Sequence, residues 1–253
     1  MKTRLDKLLV DRALAQSRER AQALILAGRV MVDEQKVEKP GTPVDDESVL
    51  RLLGDDLKFV GRGGLKLERA LDHWAIDVSG LACADIGAST GGFTDCMLQR
   101  GASSVLAIDT GYGQIAQKLR SDPRVSLMER TNARLLEPHS LAASGIRFFA
   151  MDVSFISATL VLPAVLNALP TPNKPWTGEA VILVKPQFEA GREFVGKGGI
   201  VRDPAGRRVA IDRVTECAKS LGATSLDLID SPIKGMEGNH EYLLHMRFLF
   251  PLP

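Results

Sequence analysis

The chain has 253 residues, 45% of them apolar and 25% charged, the make-up of a soluble globular protein with room for an ordinary domain and a small one. A net charge of +1 gives no global case for nucleic acid, so any such case rests on local patches. The three cysteines, Cys83, Cys96 and Cys217, are odd in number, far apart and without a CxxC pair, which argues for reduced thiols in a cytosol and against a disulfide framework or a zinc site.

The first stretch, MKTRLDKLLVDRALAQ, scatters charges through its apolar positions and does not read as a signal peptide. Leu5, Leu8, Leu9 and Leu14 predict a helix over residues 4–15, and Ala21, Leu24, Ile25 and Ala27 a second over 18–27, which Gly28 is placed to end. Two strand-like runs follow at 30–32 and 48–53. Residues 1–30 hold seven Lys/Arg (Lys2, Arg4, Lys7, Arg12, Arg18, Arg20, Arg29) against the acids Asp6, Asp11 and Glu19, a local +4. A helix pair with one basic face suits the phosphates of a folded RNA, although a solvated helical hairpin would carry the same charges.

RLDKLLVDRALAQSRERAQALILAGRVMVD resembles the S-four RNA-binding domain, the helix-helix-β-turn module of a small-subunit ribosomal protein. The resemblance implies that Arg4, Lys7, Arg18, Arg20 and Arg29 face RNA. Gly54-Asp55-Asp56 and Gly61-Arg62-Gly63-Gly64 then bracket a linker, which divides the chain into an RNA-binding domain (1–53), a linker (54–64) and a larger domain (65–253).

Beyond the linker, strands are expected at 81–86, 104–109, 124–129, 146–152, 180–184, 224–229 and 241–250, with helices at 94–100, 114–120, 156–169 and 206–220. Lys66 stands on a further helix, directly after the linker. This alternation predicts an α/β fold, a doubly wound, mostly parallel sheet of seven strands. The most membrane-like stretch, 153–169, is short of the roughly 20 residues a spanning helix needs and carries Ser154, Ser157, Thr159, Pro163 and Asn167. It reads as a strand-end loop running into a buried helix.

Asp85-Ile86-Gly87-Ala88-Ser89-Thr90-Gly91-Gly92-Phe93 follows the first of these strands and opens a helix. Glycines there let the backbone turn sharply and approach a ligand closely. The next strand ends at Asp109, 22 residues past Gly87, the spacing at which a carboxylate holds ribose hydroxyls. The loop lacks the GxGxxG spacing of a dinucleotide site. Its form, D-x-G-x-x-x-G-G, resembles the first motif of methyltransferases that use S-adenosylmethionine, which has no pyrophosphate to cradle. Thr131 and Asn132 follow the third strand, where such folds meet the adenine ring; Asn132 would serve equally as a helix cap.

VILVKPQFE places Lys185 where a buried strand gives out, and MDVSFIS places Asp152 at the end of the strand before. In open α/β sheets both positions face the ligand crevice. With Lys66 and Glu241 they form a set of two amines and two acids. Methyl transfer to a hydroxyl needs its oxygen deprotonated as it attacks, and a ribose 2′-OH is a poor acid, so a lysine has a definite use there. A rim salt bridge would account for any one of the four, though less readily for all of them at one cleft.

GRGGLKLERAL, DIGASTGGFTDCMLQRGA, MERTNAR, MDVSFIS, LVKPQFEAGREFVGKGGIVRDP and SPIKGMEGNHEYLL, in this order, resemble the TlyA family over essentially the whole chain. These are haemolysin A-like rRNA 2′-O-methyltransferases with an S-four domain fused to an FtsJ/RrmJ-type methyltransferase. The resemblance implies a Rossmann-like methyltransferase fold and a catalytic tetrad of Lys66, Asp152, Lys185 and Glu241, with Lys185 as base and Lys66 aiding substrate placement. GNHEY favours Glu241 over the nearby Glu237. It implies an S-adenosylmethionine site formed by Asp85, Gly87, Ala88, Ser89, Thr90, Gly91, Phe93, Asp109, Thr131, Asn132 and Asp152. It also implies methylation of cytidine ribose in the rRNA of ribosomal subunits by a cytoplasmic protein, with no membrane or DNA partner and no metal. Arg192 and Lys197, in the Gly-rich stretch 191–199, would clamp the RNA or sit on a mobile loop.

Three rivals stand beside this reading. A membrane-active haemolysin needs an amphipathic or spanning segment, and none is evident. A non-catalytic RNA-binding assembly protein would be favoured by loss of the tetrad, which is intact. A base methyltransferase would show an Asn/Asp-Pro-Pro-aromatic motif or a catalytic cysteine, where this chain has DVSF.

Overall fold

Leu5, Leu8 and Leu9 recur at helical spacing, and all three are buried against Leu24, Ile25, Val30 and Val44. They form the core of the first of two units, residues 1–57 and 58–253, in a computed structural model that describes residues 2–15, 17–53, 58–171, 173–235 and 238–249. The elements of this unit are β1 (Lys2–Arg4), α1 (Leu5–Asp11), α2 (Arg18–Leu26), β2 (Val30–Val32), β3 (Gln35–Lys36), β4 (Pro43–Asp45) and β5 (Leu50–Leu52). β1 pairs antiparallel with β4, and β2 lies between β3 and β5. The Ser17 hydroxyl caps α2 by accepting from the Arg20 N–H, and Gly28 ends the helix at φ +64°.

α1 is shorter than the 4–15 helix its leucines predict. It stops at Asp11 because Ala13 takes a left-handed φ of +56°, which turns Leu14 and Ala15 back to donate to the Leu9 carbonyl. The strand expected at 48–53 is limited to Leu50–Leu52.

The second unit runs α3 (Gly63–His73), β6 (Ala82–Ile86), α4 (Gly92–Gln99), β7 (Ser104–Ile108), α5 (Gln117–Arg120), β8 (Val125–Met128), β9 (Phe148–Met151), α6 (Ala158–Ala168), β10 (Gly178–Val184), α7 (Pro186–Glu189), α8 (Pro204–Ser220), β11 (Ser225–Asp230) and β12 (Tyr242–Phe248). Seven strands form one sheet in the order β11-β12-β10-β9-β6-β7-β8, and β12 alone runs against the rest. This is the α/β, mostly parallel architecture that the strand-helix alternation predicts. α3 starts at Gly63, inside the stretch expected as linker; residues 54–57 of that stretch, Met236, Glu237 and Phe250 lie outside the described residues.

Both faces of the sheet are covered. Phe148, Val181 and Leu183 point to the side of α3 and α4, and Phe149, Ile182 and Val184 to the side of α6 and α8. Pro163 inside α6 cannot donate to the Thr159 carbonyl, which receives the Cys217 thiol at 3.8 Å instead. Asp203 caps α8 through the Ala205 N–H, so this helix begins before its expected start at 206.

Register decides where chemistry can occur. Ile86 pairs with Ile108 and with Met151, and Ile108 with Met128. Four strands therefore end level, and the residues that follow them are Gly87, Asp109, Glu129 and Asp152. β10 runs further, to Val184 opposite Tyr242. One step beyond that pair stand Lys185 and Glu241. The strand order reverses at β6, which has β7 on one side and β9 on the other, so the crevice opens above its C-terminal end.

Candidate active site

Asp85 is fully buried, and its Oδ2 accepts from both the backbone N–H (2.8 Å) and the hydroxyl (2.7 Å) of Thr94. It ties β6 to the first turn of α4. Its Oδ1 has no hydrogen-bond partner among the described residues, and burial pushes its pKa up to about 7 against the pull of the Thr94 bonds. Of the residues expected at the cofactor, Asp85 and Phe93 therefore have no open surface in the crevice: Phe93 packs in the core between the sheet and α3. Ala88 is nearly as buried.

The loop itself is open. Ser89 and Thr90 are exposed, and Ser89 holds a left-handed φ of +49°. Its N–H donates to Asp109 Oδ2 at 2.7 Å, while Gly111 donates to Asp109 Oδ1 at 2.6 Å. Asp109 thus joins two strand-end loops and keeps lone pairs for a ligand, since an ionised carboxylate accepts about four hydrogen bonds. Gly87 adopts φ +88° beneath the loop, where a Cβ would lie 2.5 Å from the Asp152 carbonyl oxygen. Asn132 caps a short turn, Ala133–Leu135, through the Arg134 N–H, the alternative its position allows. The Thr131 hydroxyl donates to the Glu129 carbonyl.

Beside this loop four charged groups alternate in sign. Glu241 Oε2 lies 2.6 Å from Lys66 Nζ, Lys66 Nζ 3.9 Å from Asp152 Oδ2, and Asp152 Oδ1 2.6 Å from Lys185 Nζ. α3 supplies Lys66, the end of β9 supplies Asp152, the end of β10 supplies Lys185, and Glu241 precedes β12. Lys66, Lys185 and Glu241 are 8%, 7% and 4% exposed, Asp152 is half-buried, and two positive charges stand against two negative. Glu237, the rejected competitor, lies outside the described residues.

Ser154 stands outside the expected site residues, yet its hydroxyl accepts from Lys185 Nζ at 2.7 Å. The available signal was its place in DVSF, two residues past Asp152. Phe155 follows at φ +63° and 92% exposed, with its ring 5.6 Å from that of Phe188. An aromatic ring held in a left-handed backbone beside a buried lysine is a costly arrangement that core packing does not account for.

The cations expected to face RNA fall into two groups. In the first unit, Arg4 forks onto Asp6 at 3.1 and 2.9 Å, and Arg18 Nε meets the same carboxylate at 3.1 Å, joined by Gln22 at 2.9 Å. These donors hold the buried Asp6 carboxyl well below the usual carboxylate range, while both guanidiniums stay about half exposed. Lys7 is exposed, and Arg20 and Arg29 are partly buried; Arg29 Nε donates to the Leu53 carbonyl at 2.8 Å. In the second unit, Arg192 and Lys197 are exposed on the loop after α7. Among the described residues, no three His, Cys, Asp or Glu side chains gather as metal ligands.

Comparison with known proteins finds an FtsJ-like methyltransferase match over residues 59–248 and an S4 domain match over residues 3–50. The 16S/23S rRNA (cytidine-2′-O)-methyltransferase TlyA of Mycobacterium tuberculosis is 44% identical over 247 residues, covering 97% of this chain and 90% of that protein. Hemolysin A of Brachyspira hyodysenteriae is 40% identical over 242 residues, covering 96% of this chain and 98% of that protein. A solved structure from Streptococcus thermophilus, named as a hemolysin, is 43% identical with a TM-score of 0.73, covering 98% of this chain and 89% of its own.

Proposed function

Because the chain belongs to the TlyA family, which joins an S4 domain to an FtsJ-like methyltransferase domain, we propose that it methylates the ribose 2′-hydroxyl of a cytidine in ribosomal RNA, with S-adenosylmethionine as methyl donor. The observation that carries this reading is the charge-balanced chain Glu241–Lys66–Asp152–Lys185, three members buried and Asp152 half-buried, beside an open glycine loop.

The loop fits such a donor. The backbone of residues 87–91 and the carboxylate of Asp109 offer donors and acceptors to an amino acid and a ribose, Thr131 and Asn132 would serve the adenine end, and the missing Cβ at Gly87 lets the loop pass close against the Asp152 carbonyl. S-adenosylmethionine supplies a methyl group on a sulfonium. Once Lys185 has given a proton to solvent, its amine takes the 2′-hydroxyl proton and is restored to the ammonium that Asp152 and Ser154 hold. Lys66, fixed by Glu241, keeps Asp152 oriented and helps place the ribose.

Arg4, Lys7, Arg18, Arg20 and Arg29 in the first unit, with Arg192 and Lys197 in the second, take phosphates of the RNA in a ribosomal subunit. Phe155 offers an exposed face on which an unpaired base can stack. This work belongs in the cytoplasm. Two of the similar proteins carry hemolysin names, but no described helix here is long and apolar enough to cross a membrane.

The test is transfer of tritiated methyl from S-adenosylmethionine to isolated ribosomal subunits by wild type and Lys185→Ala, followed by nucleoside analysis. Label in 2′-O-methylcytidine, lost in the variant while cofactor binding survives, supports the reading. No label despite intact cofactor binding sinks it, and label on a base removes the role of Lys185.

A further inference from the structure

Asn239 is 2% exposed, and both ends of its amide are engaged. Its Oδ1 accepts from the Val201 N–H at 3.0 Å, and its Nδ2 donates to the Gly199 carbonyl at 2.9 Å. Its own carbonyl accepts from the Gly235 N–H at 3.0 Å, and Glu241 follows two residues later. The loop it grips spans residues 191–202. Gly196 donates to the Ile200 carbonyl at 3.1 Å across that loop, and Arg192, Lys197 and Arg202 stand exposed on it without a carboxylate partner among the described residues.

This loop leaves the chain directly after α7, which begins one residue past Lys185. It is therefore fastened at two points to two members of the charged chain, through α7 to Lys185 and through Asn239 to Glu241. We propose that Asn239 is a positioning residue. It holds the cationic loop at a fixed reach from the Lys185 amine, so that RNA phosphates seated on Arg192, Lys197 and Arg202 bring the target ribose into register. The inference rests on the proposed ribose methylation and names what aligns the RNA strand with the reacting groups. A buried amide suits this task because it is neutral and uses a donor and an acceptor at once. The loop cannot slide past it without leaving both unpaired.

The experiment compares wild type, Asn239→Ala, Asn239→Asp, Lys197→Ala and the Asn239→Ala/Lys197→Ala double variant. Each is measured for melting temperature, S-adenosylmethionine affinity, retention of unmodified ribosomal subunits on filters, and KM and kcat of methyl transfer. Asn239→Ala is expected to weaken subunit binding and raise KM about tenfold, a factor worth one decade of affinity, with cofactor affinity unchanged. Asn239→Asp, which keeps the acceptor for Val201 and loses the donor to Gly199, falls between. In the Lys197→Ala background the loss shrinks to about twofold or less, because the two residues act through one loop. Unchanged subunit binding in a folded Asn239→Ala, a parallel loss of cofactor affinity, or losses that multiply in the double variant would overturn the proposal. A wild type that retains subunits but transfers no methyl overturns the enzymatic reading alone, and the filter comparison still decides the role of Asn239.

Discussion

Lys66 and Glu241 stand 175 positions apart in the chain and meet at 2.6 Å between Nζ and Oε2, both nearly closed off from solvent. Removing Lys66 leaves Glu241 as an unpaired buried charge, which costs about 3–5 kcal/mol. Urea denaturation of Lys66→Ala should show a loss of this size. The apolar double replacement Lys66→Met/Glu241→Leu should recover most of the stability and none of the methyl transfer. Activity in that double variant would remove both residues from the mechanism.

Ser154 gives a graded test of the Lys185 environment. A hydrogen bond to a charged group contributes about 1.5–3 kcal/mol, so Ser154→Ala should lower kcat roughly ten- to a hundredfold. Ser154→Thr should retain much of the rate. Equal melting temperatures and equal cofactor affinity across the three proteins would tie the loss to the amine.

Phe155 gains nothing from burial where it stands. Phe155→Ala should leave the melting temperature and cofactor affinity unchanged while kcat/KM for ribosomal subunits falls roughly ten- to a hundredfold, in line with about 1–3 kcal/mol for one base stacked on an aromatic ring. Unchanged kcat/KM would show that no base rests on this ring.

Arg18 shares Asp6 with Arg4 and Gln22, so its loss leaves that buried carboxylate partnered. In Arg18→Ala, the logarithm of subunit affinity plotted against the logarithm of salt concentration should flatten by about one unit, the signature of one lost phosphate contact. An unchanged slope would take Arg18 out of the interface.

Asp85 makes a prediction in pH. An aspartate titrates near 3.8 in the unfolded chain, and burial raises Asp85 to about 7 in the fold. Between those values the folded chain binds the proton that the unfolded chain has lost. This group's contribution to stability therefore falls as pH rises from about 4 to about 7 and is level above that. Asp85→Asn keeps an acceptor for Thr94 and removes the titration, so the difference in stability between wild type and variant should change across that window, by an amount on the order of a few kcal/mol. A constant difference would contradict the burial account.

Most of the large sheet was legible from its residues. AVILV and FFAM are short apolar runs that suit a strand covered on both faces, and their ends fell within a few residues of the expected ones. The two- and three-residue strands KTR, QK and PVD carry too few side chains to show alternation. The helix expected at 114–120 shrank to Gln117–Arg120 because Ala116 keeps an extended backbone (φ −58°, ψ 139°), with its N–H on the Thr90 carbonyl. Among the candidate site residues, Lys185 announced itself as a charge ending an apolar strand. The bond between Lys66 and Glu241, the left-handed turn at Phe155 and the grip of Asn239 depend on chain segments distant in sequence, and no local pattern encodes them.

The missing side chain at Gly87 has a further consequence. Its α-carbon rests so close to the Asp152 carbonyl that a single added methyl group would need the same space. One wall of the proposed donor site is therefore also the floor beneath the acceptor's machinery. An alanine at position 87 would act as a wedge between the glycine loop and the Asp152 carbonyl, displacing both at once. The reaction geometry is gauged by an atom that is absent, and evolution at this position has no smaller step to take.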